Sequence, residues 1–137
     1  MPLMTPESAQ TLLNENFAPW VLALDLTVTE IDADHALIRM PLGEHLARAG
    51  GIVSGQALAS LADTCMALAA IAHIGEFKPF ATTDLHTQFL RPGVGTAILC
   101  RAEVVRAGRA LIFARAVMTE EDSGKIVSTA TATFYAP

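Results

Sequence analysis

The apolar and polar positions of this chain change period along its length. Residues 22–31 ("LALDLTVTEI") and 35–42 ("HALIRMPL") alternate with the two-residue period of half-buried strands, and Asp32-Ala33-Asp34 turns the chain between them. Four more β-rich runs, at residues 80–90, 96–107, 109–120 and 125–135, close the sequence. They are separated by Arg-Pro-Gly, by Gly108-Arg109 and by Asp122-Ser123-Gly124, all of them turn signals. A segment without alternation lies between the two sets. In "SGQALASLADTCMALAAIAH", residues 57–72 contain only Ser60, Asp63 and Thr64 as polar members, which predicts a long, buried helix. A short helix over residues 5–16 comes first. Thr5 can cap it, Pro6 suits its first position and Glu7 complements its dipole.

Helix, two strands, one apolar helix and four closely linked strands predict an α+β fold. A curved antiparallel β-sheet wraps around one long central helix, which is how such a helix becomes covered. The 137 residues form a single domain, 1–137, without repeat, linker or low-complexity segment.

The charge on the central helix calls for an explanation, because a lone carboxylate there is costly to bury unless paired, protonated or used. At 100° per residue, Leu58, Leu61, Ala62, Cys65, Leu68, Ala69 and Ala72 share one broad side for the sheet to cover. Asp63 lies opposite, beside Gln56, Ala59, Ser60, Ala67 and Ala70, which are all small or polar. A structural acid at a helix–helix contact and a catalytic acid both fit that pattern. The loop "GEHLARAGGIVSG" brings Gly55 to the mouth of the helix, where unpaired amides and the positive dipole end point outward. These could cradle a carbonyl oxygen. Ser54 reads as the N-cap. Gly55 and Asp63 are about 12 Å apart along one helix at 1.5 Å per residue. If both serve one reaction they come from different copies, and two antiparallel helices would form two sites per dimer.

Composition narrows the alternatives. Apolar residues are 52% and charged residues 17%, an excess that fits faces buried against further copies. The net charge is −5 with no basic run, which argues against nucleic acid. Cys65 and Cys100 sit in apolar runs and read as buried free thiols. With a start unlike a signal peptide, they point to a cytoplasmic protein. The central helix reads as too short, and too interrupted by Asp63, to span a membrane. His35, His45, His73 and His86 lack ligand spacing, so no metal is expected.

Three stretches, "GGIVSGQALASLADTCMALAA", "TTDLHTQFLRP" and "EVVRAGRALIFARAVMTEEDSGKIVSTATATF", make residues 22–134 resemble hotdog-fold acyl-CoA thioesterases of the hydroxybenzoyl-CoA and phenylacetate-pathway group. The resemblance implies hydrolysis of an acyl-CoA thioester to free acid and coenzyme A. Asp63 would be general base or nucleophile, and the Gly55 N–H of the partner subunit the oxyanion hole. It implies a homo-oligomer, a dimer of dimers, with no cofactor beyond the coenzyme A of the substrate. Thr82, rather than Thr83, falls where relatives carry a hydroxyl that positions water. Arg106, Gly108 and Arg109 resemble the loop that meets the nucleotide end of coenzyme A. Arg48, Ser54, Gln56 and Arg91 complete the expected substrate contacts. This chain has Ser54-Gly55-Gln56 where the group has His-Gly-Gly, and Arg48 where many members have Asn. Two other readings of the fold are a dehydratase or hydratase using His45, and an acyl-CoA-binding module without turnover.

Overall fold

The computed structural model describes residues 4–137. Helix α1 (Pro6–Asn16) begins on a reciprocal cap: the Ser8 amide donates to Thr5 Oγ1, and the Thr5 amide donates to Ser8 Oγ. Its buried side chains, Ala9 and Leu13, join the core. Residues 22–31 depart from the expected strand. Pro19 instead opens a helical turn, α2 (Pro19–Leu22), and strand β1 is only Thr27–Ile31. Asp25 between them takes a φ of 59°, the left-handed conformation that an Asp tolerates and a β-ladder does not. Leu24 and Leu26 are buried, so the alternation reported burial and not strand geometry.

The remaining elements are β2 (Ala36–Pro41), α3 (Gly55–Ile74), β3 (Ala81–Phe89), β4 (Ala97–Ala107), β5 (Leu111–Glu120) and β6 (Ile126–Tyr135). The strands form one six-stranded antiparallel sheet in the order β1-β2-β4-β5-β6-β3. Edge strand β1 is tied down by Gln10, whose amide donates to Leu26 O (3.0 Å) and accepts from Val28 N (2.8 Å). The other edge, β3, carries no such cover among the described residues. Every residue of it is exposed or half-buried.

Helix α3 lies against β2, β4, β5 and β6. Leu58, Leu61, Cys65 and Leu68 share one core with Ile38, Met40, Ile98 and Met118. The helix stops at Gly75, whose φ of 79° gives the left-handed cap. Its 20 residues exceed the expected apolar run and are long enough to cross a bilayer, contrary to the sequence reading. Most of the helix is instead buried in the molecule, because the sheet supplies the apolar surroundings. Cys65 and Cys100 are buried free thiols, and Cys65 Sγ donates to Cys100 O at 3.4 Å. Hydrogen bonding to Cys65, followed by burial, pushes the Cys100 thiol well above its ordinary range.

The small-residue face of α3 is left open over Gln56, Ala59, Ser60, Asp63 and Ala67, all exposed or half-buried. Ala70, expected on that face, is fully buried. A helical wheel gives the direction of a side chain, but not what distant parts of the chain lay over it.

Candidate active site

Asp63 projects from the middle of α3 toward the start of β3. There the register with β6 slips: Thr82 faces Phe134 and Asp84 faces Thr133, leaving Thr83 as an extra residue. The bulge separates the two hydroxyls. Thr82 Oγ1 donates to Asp63 Oδ1 at 3.0 Å, whereas Thr83 Oγ1 donates to Thr133 O at 3.2 Å. Burial holds the Asp63 carboxyl above the usual carboxylate range, and the Thr82 hydrogen bond opposes that rise in part. Both residues open into a pocket of about 470 Å³ whose other walls are largely apolar, Phe17, Trp20 and Phe80 among them.

A second polar feature forms at the other end of the open face. Ser54 accepts from the Ala57 amide at 3.2 Å, as a cap should. The Gly55 and Gln56 amides are the first two of the helix and have no intrahelical acceptor. A Cβ on Gly55 would stand 3.1 Å from Cζ of the Phe89 ring, so the glycine lets that ring lie against the helix mouth. Gly55, Phe89, Arg48 and Arg91 line a pocket of about 430 Å³, separate from that of Asp63. Ser54 and Gln56 are not on its wall.

The segment leading into the helix is firmly held. The Ser54 amide donates to Leu46 O (2.8 Å) and the Val53 amide to Gly93 O (3.0 Å). Next to Gly93, the Val94 amide donates to Glu120 Oε2 at 2.9 Å. Ser123 donates to the same carboxylate, and this bond, then that of Val94, holds it below its ordinary range. Phe89 and Glu120 were both missed in the sequence. "TQFLRP" marked the end of a strand, but nothing local said that its ring would meet Gly55.

Arg106, Gly108 and Arg109 occupy the β4–β5 hairpin and line neither pocket. The ladder row Ala107–Ile112–Phe134–Thr82 puts this hairpin at Thr82's end of the sheet. Three strand spacings, roughly 14 Å, separate them. His45 is exposed on a 3-10 turn (Glu44–Leu46) and also lines neither pocket. Within one chain, therefore, Asp63 is bonded to Thr82, and Gly55 shares a pocket with Arg48 and Arg91. The two groups stay apart on one helix.

A curved antiparallel sheet around one helix, with an acid on the helix's open face, is the hotdog architecture. The family model described as the thioesterase superfamily matches residues 50–127, which include Gly55, Asp63 and Thr82, and the chain belongs to that superfamily. Among curated proteins, Ta0293 of Thermoplasma acidophilum, named as a candidate esterase, is 27% identical over 113 residues, covering 82% of this chain and 83% of the relative. Zebrafish thioesterase superfamily member 2 superposes with a TM-score of 0.85 at 21% identity, over 98% of this chain and 99% of its own. A thioesterase from Haemophilus influenzae superposes with a TM-score of 0.86 at 21% identity, over 98% and 91% of the two chains. These likenesses establish the hotdog fold, and the superfamily points to thioester hydrolysis.

Proposed function

We propose that the protein hydrolyses acyl-CoA thioesters as a homodimer, with Asp63 of one chain acting as general base on a thioester gripped by Gly55 of the partner subunit. The observation that carries this reading is Asp63 itself. It is the single carboxylate of an apolar helix, it is held by Thr82 in an apolar pocket, and the helix-end amides lie too far along its own chain to share a substrate with it. Two antiparallel α3 helices, with their small-residue faces turned toward one another, would bring each acid to the other's helix mouth. The open β3 edge supports the same pairing. Its register sets Leu85 opposite buried Ala132 and Phe89 opposite buried Ser128, so both look to the helix side, yet they are 39% and 54% exposed.

In the reaction, the carbonyl oxygen rests on the Gly55 N–H of the partner subunit, at the positive end of its helix. Asp63 takes a proton from water as the water oxygen bonds to the carbonyl carbon. Collapse of the tetrahedral adduct breaks the C–S bond, and the proton held by Asp63 passes to the departing sulfur, releasing the free acid and coenzyme A. Burial makes Asp63 a stronger base than an exposed carboxylate. Arg48 and Arg91 flank the thioester, and Arg106, Gly108 and Arg109 meet the nucleotide end.

The test is release of free thiol from acyl-CoA substrates. Asp63→Asn lowers kcat/KM by about 100- to 10,000-fold. A single turnover in oxygen-18 water leaves Asp63 unlabelled; label in its carboxyl would assign it as the nucleophile instead. An undiminished Asp63→Asn enzyme would remove Asp63 from the reaction.

A further inference from the structure

We infer that the acyl group of the substrate occupies the aromatic pocket beside Asp63, and that the pocket selects apolar acyl groups of medium length over two- to four-carbon ones. This rests on the thioesterase reading and names its substrate class.

Three segments distant in sequence build the pocket: Phe17 and Trp20 from the α1–α2 junction, Phe77 and Phe80 from the connection after α3, and Phe134 from β6. The floor is rigid. Phe134 is buried, and Phe80 packs on it with ring centroids 6.0 Å apart. The rim is open to solvent, with Trp20 63% and Phe77 48% exposed. Large apolar side chains around an apolar hollow gain from being covered by an apolar ligand.

Most of the polar side chains on the walls already donate within the chain. Asn16 donates to Leu12 O, Ser60 to Gln56 O, Lys78 to Pro137 O and Thr82 to Asp63. Among the described residues Asp63 is the one acid of the lining, so a ligand that enters is bound by its apolar bulk and met by a base. A closed cavity of about 150 Å³ holds one benzene, so a pocket of about 470 Å³, part of it mouth, has room for an acyl group of at least about eight carbons.

The experiment compares kcat/KM for acetyl-, butyryl-, octanoyl- and phenylacetyl-CoA in the native protein and in Trp20→Ala. Octanoyl- and phenylacetyl-CoA exceed acetyl-CoA by at least about 100-fold, since each methylene missing from an apolar pocket loses transition-state binding. Trp20→Ala lowers the octanoyl-to-acetyl ratio about tenfold. Because Trp20 is the chain's single tryptophan, its emission reports occupancy directly. In Asp63→Asn, octanoyl-CoA shifts the emission to the blue and coenzyme A alone does not. Equal hydrolysis of acetyl- and octanoyl-CoA, both abolished by Asp63→Asn, overturns the inference while the thioesterase reading stands. No hydrolysis of any ester, with Trp20 still responding to octanoyl-CoA, overturns the activity and supports the pocket. A Trp20 silent to octanoyl-CoA overturns the pocket assignment.

Discussion

At the scale of single residues, the proposed chemistry depends on two opposed influences on Asp63. Burial disfavours its ionised form, and the Thr82 hydroxyl favours it. A general base works only when deprotonated, so kcat/KM falls as pH drops through the pKa of Asp63. With that pKa raised, the acid limb of the profile lies above the ordinary carboxylate range. Thr82→Val removes the opposing influence, and the acid limb moves to still higher pH. A limb that stayed put or moved lower in a pH–rate profile would dissociate Thr82 from the acid. Asp63 was legible in the chain as the odd charge on an apolar helix, and Thr82 only through the resemblance, by its place before Arg91-Pro92. The bulge that aims Thr82 rather than Thr83 was not, because a one-residue slip depends on how two strands 50 residues apart pair.

Elements decide which surfaces stay bare. α1, through Gln10, closes one edge of the sheet, and the sheet covers the broad side of α3. Left over are the small-residue face of α3 and the whole of β3, side by side. An open nine-residue edge strand is a template for another strand, and chains that stay single guard such edges with charge or cover. Leu85→Lys puts a charge among the inward apolar positions of that edge. It shifts sedimentation toward the single chain and lowers thioester hydrolysis with it, while an unchanged oligomer would exclude β3 from the contact. The expectation of six strands and two main helices came from periodicity, which is local. The failure at residues 22–26 came from the same source, since Leu24 and Leu26 alternate in burial from a turn that a Pro and a left-handed Asp impose.

For the whole molecule, the separation of Asp63 from Gly55 makes a prediction that no one-chain site could meet. Asp63→Asn and Gly55→Val each abolish hydrolysis alone, the second because its added carbons crowd Phe89 and the carbonyl's approach. Mixed, unfolded together and refolded, they regain about a quarter of native activity per chain: half the dimers are mixed, and each of those has one intact site of two. Activity in the mixture no higher than in its parents would place the acid and the amide in separate functions.

Much of this protein was determined by its sequence alone. Strand and helix periods, the caps at Thr5 and Ser54, the acid on the apolar helix and the glycine at its mouth are all local patterns. They follow from how neighbouring residues alternate or share a face. Only the tertiary structure decided that β3 lies at the far edge, that Thr82 reaches Asp63, that Phe89 rests on Gly55 and that aromatic rings from three segments surround one pocket. Those contacts join residues far apart along the chain, and whether they meet depends on how the sheet curves and slips, which no local pattern carries.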